Sequence, residues 1–118
     1  MKICLGTVQF GLNYGIEKKK IEISEIDKIL TMALENGISV LDTAQNYGDS
    51  EKIIGKFKKS SNFKIISKIS STSLNDTNNL EQLKRVLKNS LDNLRIPFLD
   101  GLLLHKPEDL KNTDFLNN

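Results

Sequence analysis

The sequence predicts an α/β protein with parallel strands. Apolar segments of strand length alternate with segments whose apolar residues recur at helical spacing, in the order β-α-β-α-β-α-β. The second strand segment, residues 38–41 (ISVL), is short and uniformly apolar, which is typical of a parallel strand buried on both faces. Doubly wound sheets and (β/α) barrels both begin with this order of elements, and periodicity does not choose between them.

The first half of the chain supplies two of the strands and one helix. Residues Ile3–Phe10 form an apolar segment of strand length, and residues 11–15 (GLNYG) follow with turn chemistry. A helix is predicted to begin at Ser24, whose hydroxyl can cap free amide groups, and to end at Gly37. Its apolar residues recur at helical spacing: Ile26, Ile29, Leu30, Ala33 and Leu34.

The second half continues the alternation. A helix is predicted to begin near Asp49 or Ser50, and residues 63–69 (FKIISKI) form a third strand. Leucines spaced three and four residues apart mark a long amphipathic helix over residues 80–94. A fourth strand covers residues 98–104 (FLDGLLL), so the chain contains four strands and three intervening helices.

Length and composition are those of a single globular domain. The chain has 118 residues, a net charge of +2 and 27% charged residues, which gives no support for a nucleic-acid or membrane-surface partner. The lysine run at residues 18–20 is predicted to be a solvated loop. The lone Cys4 lies in an apolar segment and is predicted to be a small core residue. With no internal disulfide and no apolar stretch of membrane-spanning length, the expected location is the cytoplasm.

Four polar residues follow or end the predicted strands. Asp42 follows the second strand, Tyr47 lies in the loop after it, Lys68 is near the end of the third strand and His105 follows the fourth. The carboxyl ends of parallel strands meet at one edge of a sheet, and strands two apart are separated by about 10 Å. The four side chains can therefore converge. A lysine in an apolar strand is expected to face a carboxylate, and Asp42 on the adjacent strand is the candidate.

These side-chain types are suited to proton transfer to a carbonyl oxygen. A phenol ordinarily has a pKa of about 10, and a neighbouring ammonium group favours its ionised form. An aspartate can hold the ammonium group in place, and an imidazole can orient the carbonyl group or assist the proton transfer. None of the four can donate a hydride, so a reductase built on them requires a nicotinamide cofactor.

The sequence resembles the N-terminal half of the aldo-keto reductases. Four stretches carry the resemblance in the order and spacing of the family: LGTVQFG (5–11), NGISVLDTAQNYGDSE (36–51), ISKI (66–69) and SLDNLRIPFLDGLLLHKP (90–107). The resemblance implies an NADPH-dependent oxidoreductase that reduces an aldehyde or ketone on a (β/α)8 barrel of the TIM-barrel type. Residues 1–118 would then be the incomplete N-terminal half of the barrel domain, with about the first four β/α units.

The resemblance also assigns roles to individual residues. It implies a catalytic set of four residues: Asp42, Tyr47, Lys68 and His105. Tyr47 would donate the proton, and Lys68 and Asp42 would adjust the acidity of its phenol. His105 would position the substrate carbonyl. Gly6, Thr7 and Asp42 match the region beside the nicotinamide ribose of NADPH, and no metal is expected.

Only four of the eight strands of such a barrel are present. A half-barrel exposes two strand edges and its apolar inner layer, so the chain alone is expected to bind little NADPH and to self-associate. It is a truncated product, a half completed by a second chain, or a half that pairs with another copy. A non-enzymatic cofactor-binding regulatory subunit and an inactive fragment are the alternatives to an enzyme. The polar loops at residues 11–23 and 70–79 do not identify the substrate.

Overall fold

A computed structural model describes residues 3–16, 19–70 and 79–108 of the chain. Its strands form one four-stranded parallel sheet in the sequential order β1-β2-β3-β4, which confirms the predicted fold class. The elements are β1 (Leu5–Gly6), α1 (Val8–Gly11), α2 (Ile23–Glu35), β2 (Val40–Asp42), α3 (Ser50–Lys56), β3 (Lys64–Ile69), α4 (Asn79–Leu94) and β4 (Gly101–Leu104). Of the loop predicted at residues 70–79, residues 71–78 lie outside the described residues, and residue 79 is the first of α4. The sequence also predicts that one more helix begins between Pro107 and Asn118, and residues 109–118 lie outside the described residues.

The sheet has two different faces because side chains alternate along each strand. Leu41 of β2 is in register with Ile65 of β3, and both are buried beneath the helices. Their chain neighbours point to the opposite side, which no described helix covers and which we call the open face. The open face carries Gly6, Asp42, Ile66, Lys68 and Leu103, which are paired by the register of the four strands.

The hydrophobic core lies between the sheet and the helices. In α2, Ile26 and Leu30 are four residues apart and fully buried, as the helical spacing predicts. The other buried members of the core are Phe10, Ala33, Leu41, Ile53, Ile54, Phe57, Phe63, Ile65 and Leu94. Removing this apolar surface from water stabilises the layered arrangement by about 25 cal/mol per Å². The core therefore fixes the sheet from one side only.

The prediction of a first strand over residues 3–10 is wrong in its extent. Only Leu5 and Gly6 form β1, and the chain then turns into the short helix α1. A continued strand would place Phe10 on the same side as Gly6, since side chains alternate. The helical turn instead buries Phe10 in the core. Cys4 is exposed, which corrects its prediction as a core residue.

The prediction that Ser24 caps the first long helix is also wrong. Helix α2 begins one residue earlier, at Ile23, with Glu22 at the cap position and no side-chain hydrogen bond there. The helix ends just before Gly37, as predicted. Gly37 adopts a positive φ of 76°, which glycine tolerates and which terminates the helix. Lys19 and Lys20 are exposed, as expected for a solvated run, and Lys18 lies outside the described residues.

The second and fourth strands are shorter than predicted. Strand β2 is Val40–Asp42, and Leu41 is its fully buried residue, so the segment is not buried on both faces. Strand β4 begins at Gly101, and Phe98 is 65% exposed. The pairing with β3 starts at Asp100, whose backbone N–H donates to Ile65 O and whose carboxylate accepts the Ile65 N–H at 2.8 Å. The helices predicted near residue 50 and over residues 80–94, and the strand over residues 63–69, are confirmed.

Candidate active site

Lys68 and Asp42 form an ion pair on the open face. The Lys68 amine lies 2.5 Å from Asp42 Oδ1 and donates a second hydrogen bond to Thr43 O at 3.2 Å. The side chains are 17% and 35% exposed, so the pair is partly shielded from water. The charged end of Lys68 is held by one acceptor in β2 and one in the residue after it. The partner expected for a lysine in this strand is therefore the observed one.

Tyr47 and His105 complete the group of four side chains. The Lys68 amine is 5.2 Å from the centre of the Tyr47 ring, within the range of a cation–π contact. The Tyr47 and His105 rings meet edge to face, with their centres 5.8 Å apart and their planes at 80°. The structure thus brings together all four side chains that the sequence singled out. Their catalytic roles remain predictions.

The backbone of the loop that carries Tyr47 continues the hydrogen bonding of the sheet beyond β2. The Thr43 N–H donates to Ile66 O at 2.9 Å, and the Gln45 N–H donates to Lys68 O at 3.2 Å. Two residues later the chain turns back, with the Tyr47 N–H bonded to Ala44 O. The loop is therefore in fixed register with β3, and the backbone that precedes Tyr47 is tied to the backbone of Lys68.

A buried cluster of hydroxyl groups lies beneath the same loop. Ser50 Oγ is 3.0 Å from both Thr7 O and Thr7 Oγ1 and 3.2 Å from Thr43 Oγ1. The Thr7 hydroxyl in turn donates to Asp42 O at 3.0 Å. All three residues of the cluster are 0% exposed. The cluster joins the ends of β1 and β2 to the start of α3, and it holds the backbone of Asp42.

A second buried contact joins α3 to β3. The Ser67 hydroxyl donates to Glu51 Oε1 at 2.8 Å, and Glu51 is only 4% exposed. Ser67 precedes Lys68 and points to the helix-covered side of the sheet, so its hydrogen bond to Glu51 attaches β3 to α3 on that side. The sequence identified Ser50 only as a possible helix start, and Glu51 only as the end of the stretch at residues 36–51 that carries the family resemblance. The signal for their role was their position three and four residues after Tyr47, where any helix start must contact the ends of the preceding strands.

Gly11 allows the loop to approach α1. A Cβ atom at Gly11 would overlap the carbonyl of Tyr47 and the N–H of Ser50. The sequence predicts Gly11 as part of a turn, whereas it lies at the end of α1 in close contact with the Tyr47 backbone. A substitution there would displace the Tyr47 loop or α1.

The residues predicted to contact a cofactor differ in accessibility. Gly6 is exposed, and no atom lies within 4 Å of the position that a Cβ would take on it, so the backbone of Gly6 is uncovered at this point. Gly6 is in register with Asp42. Thr7 is fully buried, and its hydroxyl is engaged by Asp42 and Ser50. The observed contact of Thr7 is with the backbone of Asp42, and its contact with a cofactor remains a prediction.

The pKa of the Cys4 thiol is affected by the charges of this site. Its pKa is raised above the ordinary value, first by partial burial and then by the negative charge of Asp42, while the Lys68 ammonium acts in the opposite direction. The thiol therefore senses both members of the ion pair. Among the described residues no group of three or more histidines, cysteines or acidic residues could hold a metal ion. In the same part of the chain, no helix is long and apolar enough to cross a membrane.

Comparison with solved structures places the fold among aldo-keto reductases. A Pseudomonas aeruginosa protein described as an aldo-keto reductase superimposes with a TM-score of 0.77 at 27% identity, covering 97% of this chain and 48% of its own. A thermostable aldo-keto reductase in complex with the inhibitor epalrestat gives a TM-score of 0.66 at 31% identity, covering 88% of this chain and 38% of its own. The chain thus spans less than half the length of these proteins.

A third structure supports the fold alone. An aldo-keto reductase from Klebsiella pneumoniae in complex with NADPH is 24% identical, with a TM-score of 0.65 over 86% of this chain and 34% of its own. No curated protein matches the chain. The sequence profile of the Aldo/keto reductase family matches residues 2–114, nearly the whole chain. The chain therefore belongs to the aldo/keto reductase family, and its four strands correspond to part of the family's (β/α) barrel.

Proposed function

We propose that this chain supplies the proton-transfer half of an NADPH-dependent carbonyl reductase. The observation that carries the proposal is the contact of Tyr47 with both Lys68 and His105 on the open face. Membership of the aldo/keto reductase family supports an oxidoreductase in general terms. The substrate class is an aldehyde or ketone, which becomes an alcohol.

Tyr47 is the proton donor in this proposal. The phenol gives its proton to the carbonyl oxygen, while the carbonyl carbon accepts a hydride. Loss of the proton leaves a phenolate, and the Lys68 ammonium beside the ring favours that negative charge. Asp42 holds the ammonium group in position through the ion pair. Removing a general acid of this kind typically lowers the rate by about 10²–10⁴-fold.

His105 orients the substrate. Its Nδ1 atom is buried without a hydrogen-bond partner among the described residues. Nδ1 is therefore shielded from a ligand, and Nε2 is the ring nitrogen left to contact the substrate. The Nε2–H group can then donate to the carbonyl oxygen that receives the proton of Tyr47. The edge-to-face contact with Tyr47 holds the imidazole in place for this role.

The open face can accept a nicotinamide cofactor. Gly6 leaves space at the strand end, and Asp42 offers a carboxylate beside it, so these two residues would hold the cofactor, with Thr7 fixing the backbone of Asp42. Such a cofactor, when bound, supplies the hydride that none of the four side chains can donate. The choice of NADPH follows the family resemblance, and a cytoplasmic location is proposed on the basis of the lone cysteine.

Four further β/α units are proposed to complete the barrel. The inner layer of the sheet is exposed at Leu103, which is 50% accessible, and each outer strand leaves one edge unpaired among the described strands. These units could come from the same polypeptide, from a second chain or from a second copy. Self-association of the chain alone would cover the same surface.

The reaction is tested by following a deuterium label in the completed barrel. The protein is mixed with NADPH deuterated at the transferable position of the nicotinamide and with a panel of aldehydes and ketones. The proposal predicts an alcohol that carries deuterium on the former carbonyl carbon. Tight NADPH binding with no labelled alcohol from any substrate would instead support a regulatory cofactor-binding protein. Absence of both binding and product would support the inactive alternative.

A further inference from the structure

The side chain of Gln45 joins the Tyr47 loop to helix α4. Its amide nitrogen donates to Val86 O and to Ser90 Oγ, each at 2.8 Å. Val86 O can only accept a hydrogen bond, so the atom that faces it must be the amide nitrogen. Both N–H groups of the side chain are thereby used. Ser90 is 2% exposed, which makes this a buried attachment point.

The backbone of the same residue is bonded to the catalytic strand. The Gln45 N–H donates to Lys68 O, as described above, so Gln45 joins α4 on one side to β3 on the other. Tyr47 follows two residues later. The Tyr47 ring contacts Lys68 and His105 without a hydrogen bond to either, and no side-chain hydrogen bond of Tyr47 is found among the described residues. The position of the ring therefore depends on the backbone of its loop.

We infer that Gln45 is a positioning residue that holds Tyr47 against Lys68 and His105 by anchoring the loop to helix α4. The inference rests on the proposed function in that it takes Tyr47 as the proton donor. Glutamine is suited to this place because it has two donors on one atom, matching a carbonyl and a hydroxyl one helical turn apart. A glutamate of the same shape would place a carboxylate against Val86 O and repel it.

The inference is tested by nuclear magnetic resonance on the full chain, without any need for turnover. The chain has one histidine and two tyrosines, so in a Tyr14→Phe background a cross-peak between tyrosine and histidine ring protons reports only the Tyr47–His105 contact. Tyr14 is 59% exposed, and this substitution keeps its backbone contact with Gln9. The cross-peak is expected in this background.

Three variants then remove different parts of the hydrogen bonding between Gln45 and α4. Ser90→Ala removes one of the two acceptors and is expected to weaken the cross-peak. Gln45→Met keeps the length of the side chain, removes both donors and is expected to abolish it. Gln45→Glu is expected to abolish it at neutral pH and to regain part of it under acid conditions, where the introduced carboxyl group becomes a donor. Urea unfolding and the spread of amide resonances establish that each variant is folded.

Gln9→Met is the matched control. It removes another glutamine amide bonded to a backbone carbonyl, that of Tyr14, and is expected to leave the cross-peak unchanged. A folded Gln45→Met protein with an undiminished cross-peak would overturn the inference, as would an equal loss in Gln9→Met. If Gln45→Met does not fold, the Ser90→Ala variant tests the inference instead. An unweakened Tyr47–His105 cross-peak in Ser90→Ala would also overturn the inference. Failure of the deuterium experiment alone would leave this result unaffected.

Discussion

The two faces of β3 differ in what their residues do. Ile65, Ser67 and Ile69 are 0–4% exposed and point toward the helices, where they contribute to the core and to the bond with Glu51. Lys68, between two of them, points to the open face and meets Asp42 and Tyr47. Because side chains alternate along a strand, the six residues of β3 place core side chains on one face and site side chains on the other. Substitutions on one face should affect folding, and those on the other should affect the site.

The largest difference in stability is expected between Ile65→Ala and Ile66→Ala. Ile65 is 1% exposed within the core, so its truncation should lower the free energy of unfolding by about 2–5 kcal/mol. Ile66 lies on the open face and is partly exposed, so the same change should cost about 1 kcal/mol. Urea unfolding of both variants measures the difference. Equal losses would mean that the open face is as well packed as the core.

A smaller contrast is expected between two glycines. A Cβ at Gly55 of α3 would overlap the backbone of Asn93 and Leu94 in α4, so Gly55→Ala should destabilise the fold by about 1–3 kcal/mol. A Cβ at Gly6 would meet nothing within 4 Å, so Gly6→Ala should leave stability within about 0.5 kcal/mol. Gly6→Ala should nevertheless weaken NADPH binding by the completed barrel. Thermal unfolding and cofactor titration of each variant separate the two effects.

The smallest expected effect is on the reactivity of Cys4, the single cysteine of the chain. Its raised pKa should shift the pH dependence of alkylation to higher pH than that of free cysteine, because the thiolate is the reactive form. Asp42→Asn removes a negative charge, should lower the pKa and should speed alkylation at neutral pH. Lys68→Met should slow it. Opposite or absent changes, measured with iodoacetamide, would show that the thiol does not sense the ion pair.

The parallel α/β class and the position of the four site residues at strand ends were predictable because they depend on short-range patterns. Alternation of apolar segments fixes parallel pairing, and residues at strand ends must share one edge. The Lys68–Asp42 pair followed from the cost of an unpaired lysine in an apolar strand. These arguments use only sequence separation and the preferences of side chains for water.

Other features depended on contacts that sequence patterns do not contain. The apolar run through Phe10 is compatible with a long strand, but the chain turns into α1, which buries Phe10 in the core. The exposure of Cys4 reflects the uncovered face, which hydrophobicity alone does not reveal. Gln45 was overlooked because its partners lie 41 and 45 residues away, on a helix whose orientation the sequence does not specify.

Tyr47→Phe tests the central claim most directly, with Tyr14→Phe as its matched control. The two changes remove the same hydroxyl group, one from the open-face site and one from a ring that is 59% exposed in the segment after α1. In the completed barrel, we expect Tyr47→Phe to lower kcat for aldehyde reduction by about 10²–10⁴-fold and Tyr14→Phe to leave it unchanged. Undiminished turnover in folded Tyr47→Phe protein would contradict the assignment of Tyr47 as the proton donor.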